Sequence, residues 1–94
     1  MADADVVQVQ LYAKPGCHLC EQAEADLARL QRRYPHSVQV LDITQDAKLM
    51  HEYGVRIPVL VVDGREYSAP LEITEIERAL AAATHSPARA ARQA

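Results

Sequence analysis

Apolar and polar residues alternate along Val6-Val7-Gln8-Val9-Gln10-Leu11-Tyr12, with Val7, Val9 and Leu11 on one side and Gln8 and Gln10 on the other. A period of two predicts a strand. Lys14-Pro15-Gly16 ends it with turn residues. From Cys17 the period lengthens: Cys20, Ala23, Leu27, Leu30 and Tyr34 recur three and four residues apart, the stripe of an amphipathic helix that Pro35 stops. Ser37 to Ile43 (Ser-Val-Gln-Val-Leu-Asp-Ile) reads as a second strand. Thr44 to Tyr53 reads as a short helix with Leu49, Met50 and Tyr53 facing inward and Gly54 at its C-terminal cap.

After Val55-Arg56-Ile57-Pro58, the unbroken apolar run Val59-Leu60-Val61-Val62 suits a strand buried on both faces. Asp63-Gly64 supplies the positive φ angles of a two-residue hairpin, so Arg65-Glu66-Tyr67 is expected as an antiparallel edge strand. Ile73, Ile76, Leu80 and Ala83 predict a final amphipathic helix ending near Thr84. The order β-α-β-α-β-β-α predicts an α/β domain over residues 1–84. A right-handed parallel β-α-β unit and an antiparallel hairpin build a four-stranded mixed sheet with helices on both faces. His85 to Ala94 shows no apolar periodicity and is expected as a flexible tail.

Composition narrows the function. Ninety-four residues without Phe or Trp permit one core, and it must be aliphatic. All 13 acids precede His85, so the body is more acidic than the net charge of -3 suggests. Lacking a basic stripe and an aromatic platform, it is not expected to bind nucleic acid. No apolar run approaches the length of a membrane span, and the acidic Met1-Ala2-Asp3-Ala4-Asp5 does not read as an export signal. A cytoplasmic, monomeric protein with no membrane partner is expected. In a reducing compartment two cysteines are poor material for a structural staple, and the spacing Cys17-His18-Leu19-Cys20 points to redox or metal chemistry.

Disulfide exchange needs a thiolate that attacks and a second thiol close enough to expel the mixed-disulfide partner. Cysteines three apart at a helix start supply both. The unsatisfied N–H groups and positive dipole end favour the anion of Cys17, the expected nucleophile, lowering its pKa. Cys20, on the apolar stripe, is expected to be more buried and to act as the resolving thiol. Lys14 either stabilises the thiolate, holds an anionic substrate group or is an ordinary solvated lysine. His18, if protonated, stabilises the thiolate; otherwise it is a solvent-facing spacer. Glu21 and Glu24 read as surface acids that suit the helix dipole. His36, His51 and His85 are scattered and expected at the surface.

Lys14-Pro15-Gly16-Cys17-His18-Leu19-Cys20 after a strand ending in Tyr12, with Ile57-Pro58 ahead of a buried strand, resembles the glutaredoxin branch of the thioredoxin superfamily. The resemblance spans about Val6 to Ala83, and is greatest to small bacterial glutaredoxin-like proteins with a Cys-His-Leu-Cys pair. It implies a thioredoxin-like fold and a cis Ile57–Pro58 peptide facing Cys17, with the Ile57 backbone free to pair with an extended substrate. From the sequence alone, a trans proline opening a strand is an equal reading. Arg56 at this junction meets a substrate carboxylate, lowers the Cys17 pKa or forms a surface salt bridge. Tyr12 takes a position where the family often has an aromatic near the dithiol, though simple packing accounts for it equally. One departure stands out: the Gly-Gly and acidic residue that usually hold the γ-glutamyl end of glutathione are replaced by Glu66-Tyr67-Ser68-Ala69-Pro70-Leu71.

The function expected is that of a thiol–disulfide oxidoreductase in which Cys17 forms a mixed disulfide that Cys20 resolves. Its substrate would be a disulfide-containing protein or a glutathione mixed disulfide. Electrons would come from glutathione or a thioredoxin-type reductase, and no cofactor would be tightly bound. Two other readings remain: a metal or iron–sulfur module, for which two thiols are half a four-thiolate site, and a non-catalytic adaptor on a thioredoxin fold.

Overall fold

A computed structural model of the chain describes residues 6–86, so the expected tail lies outside the described residues beyond Ser86. The elements are β1 (Val7–Ala13), α1 (His18–Leu30), β2 (His36–Asp42), a 3-10 turn (Ile43–Gln45), α2 (Ala47–Tyr53), β3 (Val59–Val62), β4 (Arg65–Ser68) and α3 (Ile73–Thr84). The sheet order is β2-β1-β3-β4. β1 runs parallel to β2 and antiparallel to β3, and β3 and β4 are antiparallel. This is the expected mixed sheet. Asp63 and Gly64 both take positive φ, 47° and 87°, as the two-residue hairpin requires.

The alternation read in β1 becomes a two-sided sheet. Val7, Val9 and Leu11 point to the face covered by α1 and α3, where they join Leu27, Leu60, Ile76 and Leu80 in one buried cluster. Burying each such side chain is worth about 1.5–3 kcal/mol, so this layer is the main source of stability. On the opposite face Gln8 and Gln10 are exposed, and α2 meets the sheet at the Tyr12 end, through Tyr53.

Several local expectations are corrected. α1 ends at Leu30, four residues early: the Gln31 N–H turns back to the Ala28 carbonyl, and its side chain accepts from the His36 N–H at 2.7 Å. Tyr34 still packs on the core, from the following turn. The helix expected over Thr44 to Tyr53 is split, because Asp46 is extended and its carboxylate caps the N–H groups of Lys48 and Leu49. Asp42 does the same for Thr44, whose backbone and hydroxyl hydrogen bonds hold the Asp42 carboxyl below its ordinary pKa. Met50 is exposed and not inward-facing. Gly54 is right-handed, and its lack of a side chain serves close approach: a Cβ would collide with the Met50 carbonyl oxygen. Val61 is only half-buried, since the outer face of β3 is incompletely covered. His36 is buried, with Nδ1 2.5 Å from the Tyr34 carbonyl oxygen, because it opens β2 beside Val7.

Candidate active site

β1 and α1 meet through the turn Lys14-Pro15-Gly16. Gly16 sits at φ +79°, a left-handed conformation that costs other residues about 1–2 kcal/mol, and it swings the chain from the strand into the helix. Cys17 follows as the N-cap of α1. Its Sγ accepts from the Cys20 N–H at 3.2 Å, satisfying one of the donors a helix start leaves open. Cys17 and Cys20 form a disulfide with Cα atoms 5.2 Å apart. Their environments differ: Cys17 is half-buried, whereas Cys20 is only 3 % exposed. His18 is fully solvent-exposed, 3.8 Å from Glu21, and Leu19 between the cysteines is also exposed.

The second wall comes from β3. The β1–β3 register ends at Tyr12 opposite Val59, so Ile57-Pro58 leads into β3 at the sheet end where β1 delivers the chain to Cys17. The Ile57–Pro58 peptide is cis, as is Ala69–Pro70 before α3. Pro58 is buried and Ile57 half-buried. Tyr12 stacks on Tyr53 with ring centroids 4.2 Å apart, and the Arg56 guanidinium lies 5.1 Å above the Tyr53 ring. Burial raises the Tyr53 phenol above its ordinary pKa, and the neighbouring Tyr12 adds to this.

Arg56 is held from two elements. It donates to the Glu66 carboxylate at 2.6 Å, to the Glu52 carboxylate at 3.1 Å and carbonyl at 3.2 Å, and to the Ser68 hydroxyl at 3.4 Å. Hydrogen bonding to Glu66 is the largest cause of its raised pKa. Of the readings open for Arg56, the geometry realises the salt bridge. On the other side of the dithiol, a cavity of about 270 Å³ is lined by Lys14, Cys20, Glu21, Glu24, Val40 and Asp42. Lys14 is exposed there. Among the described residues no group of three or more His, Cys, Asp or Glu is placed to hold a metal ion, and no helix is long and apolar enough to cross a membrane.

Cys17, Cys20, Lys14, Tyr12 and Ile57-Pro58 lie at this end of the sheet as expected, joined by Tyr53, Glu52 and Glu66, which were not among the expected site residues. Glu52 carries a local signal, four residues before Arg56 on one helical turn. Glu66 reaches Arg56 only through the hairpin fold.

With this geometry in view, the model of the glutaredoxin-like domain family (DUF836) matches residues 8–81. The chain belongs to that family. An X-ray structure of the structural-genomics target protein XcR50 from X. campestris is 35% identical with a TM-score of 0.69, covering 79% of this chain and 96% of that one. An uncharacterized protein of Mycobacterium tuberculosis is 33% identical over 66 residues, 65% of this chain and 68% of its own. A mutant thioredoxin from Halobacterium salinarum superposes with a TM-score of 0.69 at 21% identity, over 89% of this chain and 80% of its own, which bears on the fold alone. The glutaredoxin-like domain thus has a thioredoxin fold carrying a Cys-x-x-Cys pair, an arrangement that supports a redox-type function.

Proposed function

We propose that the chain is a thiol–disulfide oxidoreductase. The observation that carries this reading is the asymmetry of the dithiol at the helix start: Cys17 Sγ caps α1 and accepts an N–H hydrogen bond, while Cys20 is buried behind it. In the reduced protein the same N–H and the helix dipole favour a thiolate on Cys17. That thiolate attacks one sulfur of a substrate disulfide, forming a Cys17 mixed disulfide and releasing the other sulfur as a thiolate. Cys20, deprotonated, then attacks Cys17 Sγ, closes the Cys17–Cys20 disulfide and releases the second substrate thiolate. Two electrons have passed to the substrate. Glutathione or a thioredoxin-type reductase returns them to the dithiol.

Tyr12, Lys14 and the Ile57 backbone form the surface that meets the substrate, with Pro58 withholding a competing N–H. Arg56 contributes by holding this segment. The test is a trapping experiment. Cys20→Ser should accumulate a mixed disulfide on Cys17 with a peptide disulfide or glutathione, and Cys17→Ser should abolish exchange. Equal exchange by Cys17→Ser and the unsubstituted protein would overturn the assignment.

A further inference from the structure

Arg56 is a cation on the β3–β4 side of the dithiol's sheet end, and each of its three guanidinium nitrogens donates a hydrogen bond within the chain. Ser68, which accepts one of them, lies opposite Val59 in the β3–β4 register, and Val59 lies opposite Tyr12. Arg56 therefore sits level with the last residues of β1 before the turn to Cys17. Glu66 approaches it from the β4 strand and Glu52 from α2, one cation against two carboxylates. An incoming carboxylate would have to displace Glu66 from a contact of 2.6 Å, or bind beside both acids.

The opposite side of the dithiol repeats the balance independently. The cavity lined by Cys20 has one cation, Lys14, and three carboxylates, Glu21, Glu24 and Asp42, in its wall. Among these groups, with His18 neutral, carboxylates outnumber cations on both flanks. An anionic disulfide meets repulsion on either flank, and a disulfide with cationic neighbours meets attraction.

We propose that Glu66, with Glu52, is a specificity-determining residue that neutralises Arg56, disfavours anionic disulfides such as glutathione disulfide, and turns the dithiol toward disulfides flanked by basic residues of a polypeptide. This rests on the redox reading above and names the substrate class for it. Glu66 touches no reacting atom; it acts through the charge it removes from Arg56.

The test uses the reduced full chain and three small disulfides: cystamine, hydroxyethyl disulfide and glutathione disulfide, with positive, no and negative net charge. Each exchange rate is divided by that of the same disulfide with free mercaptoethanol, which removes intrinsic reactivity. The unsubstituted protein should rank them cationic, neutral, anionic, with a contrast that shrinks at high salt. Glu66→Gln should raise the anionic rate relative to the neutral one by about three- to tenfold, the order expected for removing one partly screened unit charge near the site. Adding Arg56→Gln should cancel that gain, which a merely structural role of Glu66 would not produce. If Glu66→Gln does not fold, Glu52→Gln decides, with a smaller change of the same sign. Unchanged ratios in the folded variants would overturn the specificity proposal alone. No exchange with any of the three disulfides would overturn the redox reading, and the proposal with it.

Discussion

Replacing Tyr53 by Ala removes the middle member of the Tyr12–Tyr53–Arg56 stack, and the structure sets the size of the loss. The ring pair at 4.2 Å is worth about 0.5–1.5 kcal/mol beyond its buried area. The Arg56 contact at 5.1 Å adds about 0.5–1 kcal/mol for a partly exposed cation over a ring. The half-buried ring contributes about 1 kcal/mol of apolar burial. Tyr53→Ala should therefore destabilise the fold by about 2–3.5 kcal/mol, lowering Tm by roughly 10–25 °C for a domain of this size. Tyr53→Phe keeps the ring and the stack and should cost well under about 1 kcal/mol. Urea denaturation of the oxidised protein reads both, and a cycle with Tyr12→Ala should show coupling of about 0.5–1.5 kcal/mol. A cost below about 1 kcal/mol for Tyr53→Ala, or equal harm from Phe and Ala at this position, would contradict the stack's role.

Leu27, 1 % exposed between the helices and the sheet, should cost about 2–5 kcal/mol on replacement by Ala, read as a fall in the urea midpoint at constant slope. Asp46→Ala removes the cap of α2 and should cost about 1 kcal/mol, whereas Asp46→Asn should recover most of it; both are read by thermal unfolding. The burial that raises the Tyr53 pKa favours the neutral phenol in the folded state, so its contribution to stability is fully present below the ordinary tyrosine pKa and is lost as pH rises through the folded value. Stability measured across alkaline pH should thus fall less steeply in Tyr53→Phe than in the unsubstituted protein; identical profiles would count against that assignment.

Much of this architecture was legible because it is written in short periods. The alternation in β1, the stripe from Cys20 to Leu30 and the positive-φ pair Asp63-Gly64 each specify a local geometry, and together they put the dithiol at a strand-to-helix junction. What escaped depends on contacts remote in sequence. Glu66 meets Arg56 only after the hairpin folds, and Tyr12 meets Tyr53 only after α2 crosses the sheet end. His36 is buried because the first residue of β2 pairs with Val7, although an isolated histidine reads as surface. The split at Asp46 was overlooked for a different reason: a side-chain cap signal lay inside a stretch that otherwise read as one helix.

The central claim, a dithiol that cycles through the Cys17–Cys20 disulfide, is tested most directly by equilibrating the purified chain against glutathione redox buffers, quenching with acid and weighing the protein. A reversible loss and gain of two hydrogens at a definable poise is expected, absent from Cys17→Ser. A chain whose mass does not change reversibly at any poise would contradict it.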